Sequence, residues 1–213
     1  MEVKKINQKY AALAERSFKT RIESYLLHKI REKESLGNVT IDEFLAYEIT
    51  PDRIKEYEQD WQKDKCDEIG STKVSDVDKL ITDWKKEKKD TLIKDLLKDY
   101  KSYFKKHILT QGEFNLFYVE DDTQRKCAYC EISDQEISDM RERGTIKTKR
   151  GRGYSMEIDR INSNEEYKRE NLLLACYWCN NAKTDEYTED EFRDIIGKAI
   201  KKVWELRKSK VNN

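Results

Sequence analysis

Two pairs of cysteines with the spacing C-x-x-C constrain this chain more than any other feature of its sequence. They are Cys127 with Cys130 and Cys176 with Cys179. A C-x-x-C turn brings two thiolates within reach of one ion, at about 2.3 Å from each sulfur when the ion is zinc. Two such turns complete a tetrahedral shell with no open position for water, which predicts a structural zinc rather than a catalytic one. The alternative is two unrelated cysteine pairs. Cys66 has no partner by spacing and is predicted to be a small core residue.

The net charge of zero means that the chain as a whole has no long-range electrostatic attraction to a charged partner. The 213 residues include 43 basic and 43 acidic side chains, so a nucleic-acid surface must come from local clustering. We find no signal peptide, and no apolar run approaches the roughly 20 residues that span a bilayer. We therefore expect a cytoplasmic protein without a membrane partner. In that reducing compartment, paired cysteines bind metal more readily than they form disulfides.

Residues 1–110 have the periodicity of helices. Apolar residues from Ile6 to Ile30 recur at three- and four-residue spacing, which predicts one long amphipathic helix that ends near Leu36-Gly37-Asn38. Further apolar periodicity from Val77 to Phe104 predicts another helix. Helix starts are predicted at Thr40 with Glu43, at Thr50 with Pro51, and at Ser75.

After about residue 110 the chain contains cysteine pairs, glycines and short β-like runs. Thr188 with Glu191 predicts a capping box at the start of a final helix. We therefore predict two domains, a helical domain of unknown role over residues 1–110 and a smaller zinc-stabilised domain over residues 111–213. The fold class predicted for the whole chain is α+β and mostly helical.

The residues between and after the cysteine pairs carry a family resemblance. The chain reads Glu157-Ile-Asp159, then Asn171-Leu-Leu-Leu-Ala-Cys176, then Asn180-Asn181-Ala-Lys183, and a T-x-x-E-F helix start follows. This order resembles the zinc-containing HNH endonucleases, also called ββα-metal or His-Me finger nucleases, over roughly residues 125–192. The resemblance implies a β-hairpin followed by a helix around one divalent cation. It also implies a metal-dependent endonuclease that hydrolyses phosphodiester bonds in DNA, in preference to RNA.

Carried over residue by residue, the resemblance assigns the catalytic cation to Asp159 and Asn180, with Asn181 less favoured by its position in the motif. One carboxylate and one amide oxygen hold Mg²⁺ or Mn²⁺ loosely and leave positions for water and phosphate. Asn171 corresponds to the middle Asn of the family name and implies a structural tether between the strands.

Arg160 departs from the family pattern, because the residue after the metal aspartate is normally the histidine that activates water. Arginine stays protonated and cannot accept that proton. It can instead hold a phosphate oxygen through its fork of donors. The two histidines of the chain, His28 and His107, lie in the helical half. Three possibilities stay open: His107 reaches the site, the domain binds without cutting, or another residue is the base, the nearest candidates being Tyr154, Glu157 and Tyr167.

Simpler roles are open for the same side chains. Asp159 can pair with Arg160 or with a lysine on the hairpin surface. Glu157 can be an exposed strand carboxylate, and Asn180 can cap the helix that follows the second cysteine pair.

Residues 141–152 carry six basic side chains and one acidic side chain, next to three glycines. We expect this loop to contact phosphates on either side of the scissile bond, mainly through Lys147, Lys149, Arg150 and Arg152. The final helix is also basic, although lysines on a helix often only face solvent.

The leading hypothesis from the sequence is an HNH endonuclease of restriction, phage or anti-phage defence. In that hypothesis the helical half supplies target choice, homodimerisation or protein docking. The rival hypotheses are a non-catalytic, zinc-stabilised nucleic-acid-binding module and an interaction adaptor in which the helical half matters most.

Overall fold

In the computed structural model, two compact units account for the chain. Unit 1 consists of Met1–Gln111 with Asn164–Lys168, and unit 2 consists of Gly112–Ser163 with Arg169–Asn213. Both are mainly helical and each holds one small antiparallel sheet, which confirms the predicted α+β class. The structure describes residues 2–60, 67–119, 125–146, 152–184 and 186–209. Cys66 therefore lies outside the described residues.

Unit 1 is built on five helices and a two-stranded hairpin within its described residues. The long first helix packs against the two helices at the end of the unit. The elements are α1 (Glu2–Arg31), a 3₁₀ turn (Leu36–Asn38), α2 (Ile41–Ala46), α3 (Pro51–Asp60), β1 (Glu68–Ile69), β2 (Thr72–Lys73), α4 (Val74–Lys88) and α5 (Leu92–Tyr103), which continues into a π-helical turn (Phe104–Ile108).

The predicted long helix is confirmed as α1, but it ends earlier than the glycine at position 37 suggested. Lys33 adopts a positive φ of 57°, and its N–H donates to the carbonyl of Ile30 at 3.0 Å. The N–H of Glu34 reaches the carbonyl of Lys29 at 2.8 Å. A left-handed residue that closes the last turn in this way ends a helix without glycine.

Two of the three helix starts predicted in this unit are confirmed. The Thr40 hydroxyl accepts from the N–H of Glu43 and opens α2, and the Thr50 hydroxyl accepts from the N–H of Arg53 in α3, each at 3.3 Å. The prediction at Ser75 is wrong, because α4 begins one residue earlier and the Ser75 hydroxyl donates to Asp76 instead.

The single helix predicted through Phe104 is also wrong, because the chain breaks at residues 89–91 between α4 and α5. Residues 70–71 form the turn between β1 and β2. Gly70 has a φ of +66°, and a Cβ there would lie 2.1 Å from the carbonyl oxygen of Ile30. Only glycine fits this close approach of two backbones.

Unit 2 places its strand pair and a short helix directly around the cysteine pairs. Strands β3 and β4 are antiparallel, with Glu157 opposite Ala175 and Asp159 opposite Leu173. Its elements are α6 (Gln111–Val119, which begins at the division), α7 (Asp134–Glu142), β3 (Glu157–Arg160), a 3₁₀ turn (Arg169–Asn171), β4 (Leu172–Ala175), α8 (Tyr177–Ala182), α9 (Glu189–Glu191), a π-helical segment (Phe192–Gly197) and α10 (Lys198–Ser209).

The cysteines lie at the centre of the core of unit 2. All four are buried, together with Ile137 and Met140 of α7 and with Phe192 and Trp204 of the last helical segments. The capping box predicted at Thr188 is confirmed by bonds in both directions with Glu191. None of the helices in the described part of the chain is both long and apolar enough to cross a membrane.

Candidate functional site

Each cysteine pair is held on a turn with its own backbone bonds. In the first, the N–H of Cys127 donates to the carbonyl of Ile132 and the N–H of Glu131 donates back to Cys127, each at 2.9 Å. Glu131 has a φ of 63°, which curls the chain behind the second sulfur. In the second, Cys176 is the N-cap of α8, and its sulfur accepts from the N–H of Cys179 at 3.5 Å.

The four sulfurs converge on one point. They all lie within 4.8 Å of one another, and the Sγ atoms of Cys130 and Cys176 are 3.6 Å apart. A tetrahedral zinc with bonds of about 2.3 Å would separate its sulfurs by roughly 3.8 Å. The cluster therefore fits a four-thiolate metal centre, and it is the one convergence of three or more His, Cys, Asp or Glu ligands among the described residues.

The close approach of the four sulfurs favours binding of a cation. Hydrogen bonds from the neighbouring thiols, led by Cys130, lower the pKa of Cys127. The same neighbourhood raises the pKa of both Cys176 and Cys179, with Cys127 as the largest cause in each case. Four sulfurs this close cannot all carry negative charge unless a metal ion shares it.

Trp204 in α10 adds a polar contact to the cluster. Its indole Nε1–H donates to the Sγ of Cys130 at 3.3 Å, and its ring packs edge-on against Trp178 at 4.7 Å between centroids. A donor on a ligand sulfur orients the ligand and stabilises its thiolate form.

Asp159 lies on β3 and is held through one of its two carboxylate oxygens. Oδ2 accepts from the hydroxyl of Tyr129 at 2.6 Å and lies 3.4 Å from the Nζ of Lys183. The partner is therefore a buried lysine that follows α8, rather than Arg160 or a lysine on the hairpin surface. Within the described residues, no hydrogen bond or ion pair to Oδ1 of Asp159 is seen.

Glu157 occupies the same face of β3, two residues before Asp159. Its carboxylate accepts two bonds from Arg152, at 3.1 Å from Nε and 2.7 Å from Nη2, and this pairing raises the pKa of Arg152. Oε2 also accepts from Nδ2 of Asn180 at 2.6 Å. Glu157 is thus half-buried and fully paired, not a free carboxylate on an exposed strand.

Asn180 lies inside α8, whose N-cap is Cys176, so the alternative that Asn180 caps this helix is wrong. The structure places its amide nitrogen on Glu157 rather than on Asp159. Asn180 and Asp159 thus face the site from a helix and a strand that contact each other.

Asn171 is buried at the start of β4. Its Oδ1 accepts from the N–H of Asn162 at 2.8 Å, and its Nδ2 donates to the carbonyl of Asn162 at 3.0 Å. The Ile161 N–H also donates to the carbonyl of Asn171 at 2.9 Å. These bonds hold together the two ends of the loop that connects β3 to β4.

The candidates for the base lie in different units. Arg160 is the half-buried last residue of β3. Tyr154 is exposed, with the guanidinium of Arg141 3.7 Å from the centre of its ring. Tyr167 is buried and His107 is exposed, and both belong to unit 1.

Only part of the predicted nucleic-acid loop can be described. Lys147, Lys149 and Arg150 lie outside the described residues, whereas Arg152 is bound to Glu157 and remains half exposed. Several basic side chains of the last helical segments are ion-paired within unit 2, namely Arg193 with Glu189, Lys198 with Asp194, Lys201 with Glu131 and Lys208 with Glu136.

Sequence reasoning missed Tyr129 and Trp204 as parts of the site. A tyrosine inside a C-x-x-C turn and a tryptophan on a helical stripe carry no spacing signal for a contact with a distant side chain. Helix α7 was missed although its signal was present. Ser133 and Glu136 form a capping box at its start, with the spacing that predicts such a box from sequence.

Comparison with known proteins gives one similar structure. No protein-family model and no curated protein matches the chain. The chain is similar to the rare-cutting HNH restriction endonuclease PacI, with 30% sequence identity, 51% of this chain and 75% of that chain covered, and a TM-score of 0.40. In this chain itself, an antiparallel strand pair, the helix that follows it and a four-cysteine cluster form an HNH-like arrangement.

Proposed function

We propose that unit 2 is a metal-dependent endonuclease that hydrolyses phosphodiester bonds in DNA, the nucleic acid that PacI perturbs. The observation that carries the proposal is that Asp159 on β3 and Asn180 on α8 lie on two elements that contact each other. Each side chain is anchored through one atom, Oδ2 of Asp159 and Nδ2 of Asn180. Among the described residues, no hydrogen bond or ion pair to the remaining oxygen of either side chain is seen.

Those two oxygens are the hard ligands that Mg²⁺ or Mn²⁺ takes in proteins. With so few protein ligands, the cation would keep most of its positions for water and for phosphate oxygens. When bound, it would supply charge stabilisation for the oxygen that leaves as the phosphodiester bond breaks. The four cysteines would hold a separate structural zinc, because a shell of four thiolates has no open position.

The basic side chains near β3 bind and orient the substrate in this proposal. Arg160 directly follows Asp159, and its guanidinium can hold a non-bridging phosphate oxygen through two donors. Arg152 already lies against Glu157 on the same face of β3. Lys147, Lys149 and Arg150 would extend this contact to the flanking phosphates.

Tyr154 is the candidate base of unit 2 that is exposed to solvent. The guanidinium of Arg141 lies 3.7 Å from the centre of its ring. Glu157 is the second candidate, but both of its oxygens already accept hydrogen bonds from Arg152.

A plasmid-nicking assay in Mg²⁺ and in Mn²⁺ tests the proposal. Asp159→Ala and Asn180→Ala are each expected to lower cleavage at least a hundredfold. Asn181→Ala is the matched control for Asn180→Ala, since its exposed side chain is the neighbouring one of the same type. Cleavage by both variants at the wild-type rate would refute the assigned site. Tyr154→Phe and Glu157→Gln then compare the two candidate bases.

A non-catalytic nucleic-acid-binding module is the second candidate function. The observation that favours it is Arg160, which occupies the position of the usual histidine and cannot accept a proton at neutral pH. DNA binding in a gel-shift assay, without nicking in any divalent metal, would favour this function over the nuclease.

The biological setting is also part of the proposal. We place the protein in the cytoplasm, where reduced cysteines keep their metal, and in restriction, phage or anti-phage defence. Unit 1 would supply homodimerisation or docking of a protein partner. Light scattering of the full chain, alone and with DNA, measures the oligomeric state.

A further inference from the structure

Tyr129 joins the four-cysteine cluster to the candidate catalytic carboxylate. It lies between two of the metal-ligating positions, Cys127 and Cys130, in the first cysteine turn. Its hydroxyl donates to Oδ2 of Asp159 at 2.6 Å, and only 3% of its surface is exposed.

The ring of Tyr129 is confined from several sides. Phe192 packs edge-on against it, with 5.0 Å between ring centroids. A Cβ at Gly197 would lie 2.6 Å from the carbonyl oxygen of Tyr129, so a helix backbone lies directly on this turn. The N–H of the preceding Ala128 donates to the carbonyl of Leu174 in β4 at 2.8 Å. The hydroxyl is therefore presented to Asp159 from a fixed direction.

Lys183 completes the support of the same carboxylate oxygen. Its Nζ donates to the carbonyls of Arg160 and Ile161, the latter at 3.0 Å, and lies 3.4 Å from Oδ2 of Asp159. The side chain is buried. Both supports use Oδ2, which leaves Oδ1 for another partner.

We propose that Tyr129 is a positioning residue through which the cysteine-bound metal centre fixes the Asp159 carboxylate for the catalytic cation. This inference rests on the proposed function, because it takes Asp159 as a ligand of that cation. In this arrangement the four-cysteine centre orders the first cysteine turn, the turn orders Tyr129, and Tyr129 sets the orientation of Asp159. Side chains that orient a metal ligand in this way usually change metal affinity by about 10- to 100-fold when they are removed.

The test is the full-length Tyr129→Phe variant, which removes only the hydroxyl. Mn²⁺ binding is measured directly by electron paramagnetic resonance, and plasmid cleavage is measured as a function of Mn²⁺ concentration. We expect the dissociation constant for Mn²⁺ and its half-saturating concentration to rise about tenfold. The cleavage rate at saturating Mn²⁺ should stay within about threefold of wild type, and the content of cysteine-bound metal should not change.

Tyr187→Phe is the matched control, because Tyr187 also packs on Phe192, at 6.2 Å, but is exposed. Its Mn²⁺ affinity should equal that of wild type. If Tyr129→Phe binds Mn²⁺ as tightly as wild type, the positioning role is refuted while the proposed nuclease stands. If the wild-type protein itself neither binds Mn²⁺ nor cuts DNA, both the proposed function and this inference fail.

Discussion

The guanidinium Nη1 of Arg21 lies 2.9 Å from Oε2 of Glu166, and both side chains are almost completely buried in unit 1. The other donors of Arg21 reach the backbone carbonyls of residues 44, 45 and 47. The hydroxyl of Tyr100 donates to the second oxygen of Glu166. A buried charge pair is tolerated in a fold only when its remaining hydrogen-bonding atoms are satisfied in this way.

Removal of one partner from this pair should destabilise unit 1 strongly. Glu166→Leu leaves an uncompensated guanidinium in the core, and Arg21→Met leaves an uncompensated carboxylate, so each should cost about 3–5 kcal/mol of unfolding free energy. The double variant Arg21→Met with Glu166→Leu should cost clearly less than the sum. Urea unfolding measures all three. Additive costs would show that the pair does not act as a unit.

The exposed pair of Lys79 and Asp83 in α4 provides the control. It joins residues four apart on a helix surface, where solvent and salt screen the attraction and such pairs contribute little to stability. Asp83→Ala should therefore leave the unfolding midpoint nearly unchanged.

The metal content of the protein should be one zinc per chain, bound by the four cysteines. Cys176→Ser should lose the metal and unfold unit 2, because the cluster occupies the centre of its core. Elemental analysis and circular dichroism after treatment with a chelator test this expectation. Cobalt substitution should give the visible absorption of tetrahedral thiolate coordination. A chelated protein with unchanged structure would contradict the structural role.

Trp204→Phe should weaken zinc binding without abolishing the fold. The substitution keeps an aromatic ring against Trp178 but removes the Nε1–H that donates to Cys130. A loss of about 10- to 100-fold in metal affinity is expected, as for other donors to metal ligands. Competition with a chromogenic chelator measures it. Trp178→Phe is the comparison, since no hydrogen bond from its indole to a ligand sulfur is seen among the described residues.

Short-range patterns in the sequence predicted much of this fold, but they could not predict contacts between residues that are far apart in the chain. The spacing of the cysteines predicted a cluster, and Thr50 with Pro51 predicted the start of a helix, because each depends on a few neighbouring residues. The break at residues 89–91 has neither glycine nor proline, so apolar periodicity ran across it without a stop signal.

The contacts that shape the candidate site and the core of unit 1 join residues far apart in the chain. Tyr129 meets Asp159 across 30 positions, and Arg21 meets Glu166 across 145. No spacing rule predicts such pairs, because they follow from how whole elements pack. The family resemblance named Asp159 and Asn180 but carried no information about Tyr129.

Stability at alkaline pH should depend on Tyr25. Burial is the largest cause that raises the pKa of Tyr25 to about 12, from an ordinary value of 10.0. Because the folded pKa lies above the unfolded one, the contribution of the neutral phenol is complete below pH 10 and is lost as the pH rises towards 12. Unfolding free energies between pH 9 and 12 should therefore fall less steeply in Tyr25→Phe. Tyr187→Phe, which alters an exposed tyrosine, should follow the wild-type curve.

Arg160→His should raise cleavage by at least about tenfold, because it places a group that can accept a proton directly after Asp159. Imidazole has an ordinary pKa near 6.5, so the added activity should increase between about pH 5.5 and 7.5. Arg160→Gln measures the effect of losing the positive charge alone, because glutamine carries no charge and cannot act as a base. A lower rate in both variants would show that the guanidinium itself contributes to substrate binding or catalysis. A higher rate in Arg160→His alone, with the expected pH profile, would show that an imidazole at this position acts as a more effective base than the residues of the wild-type site.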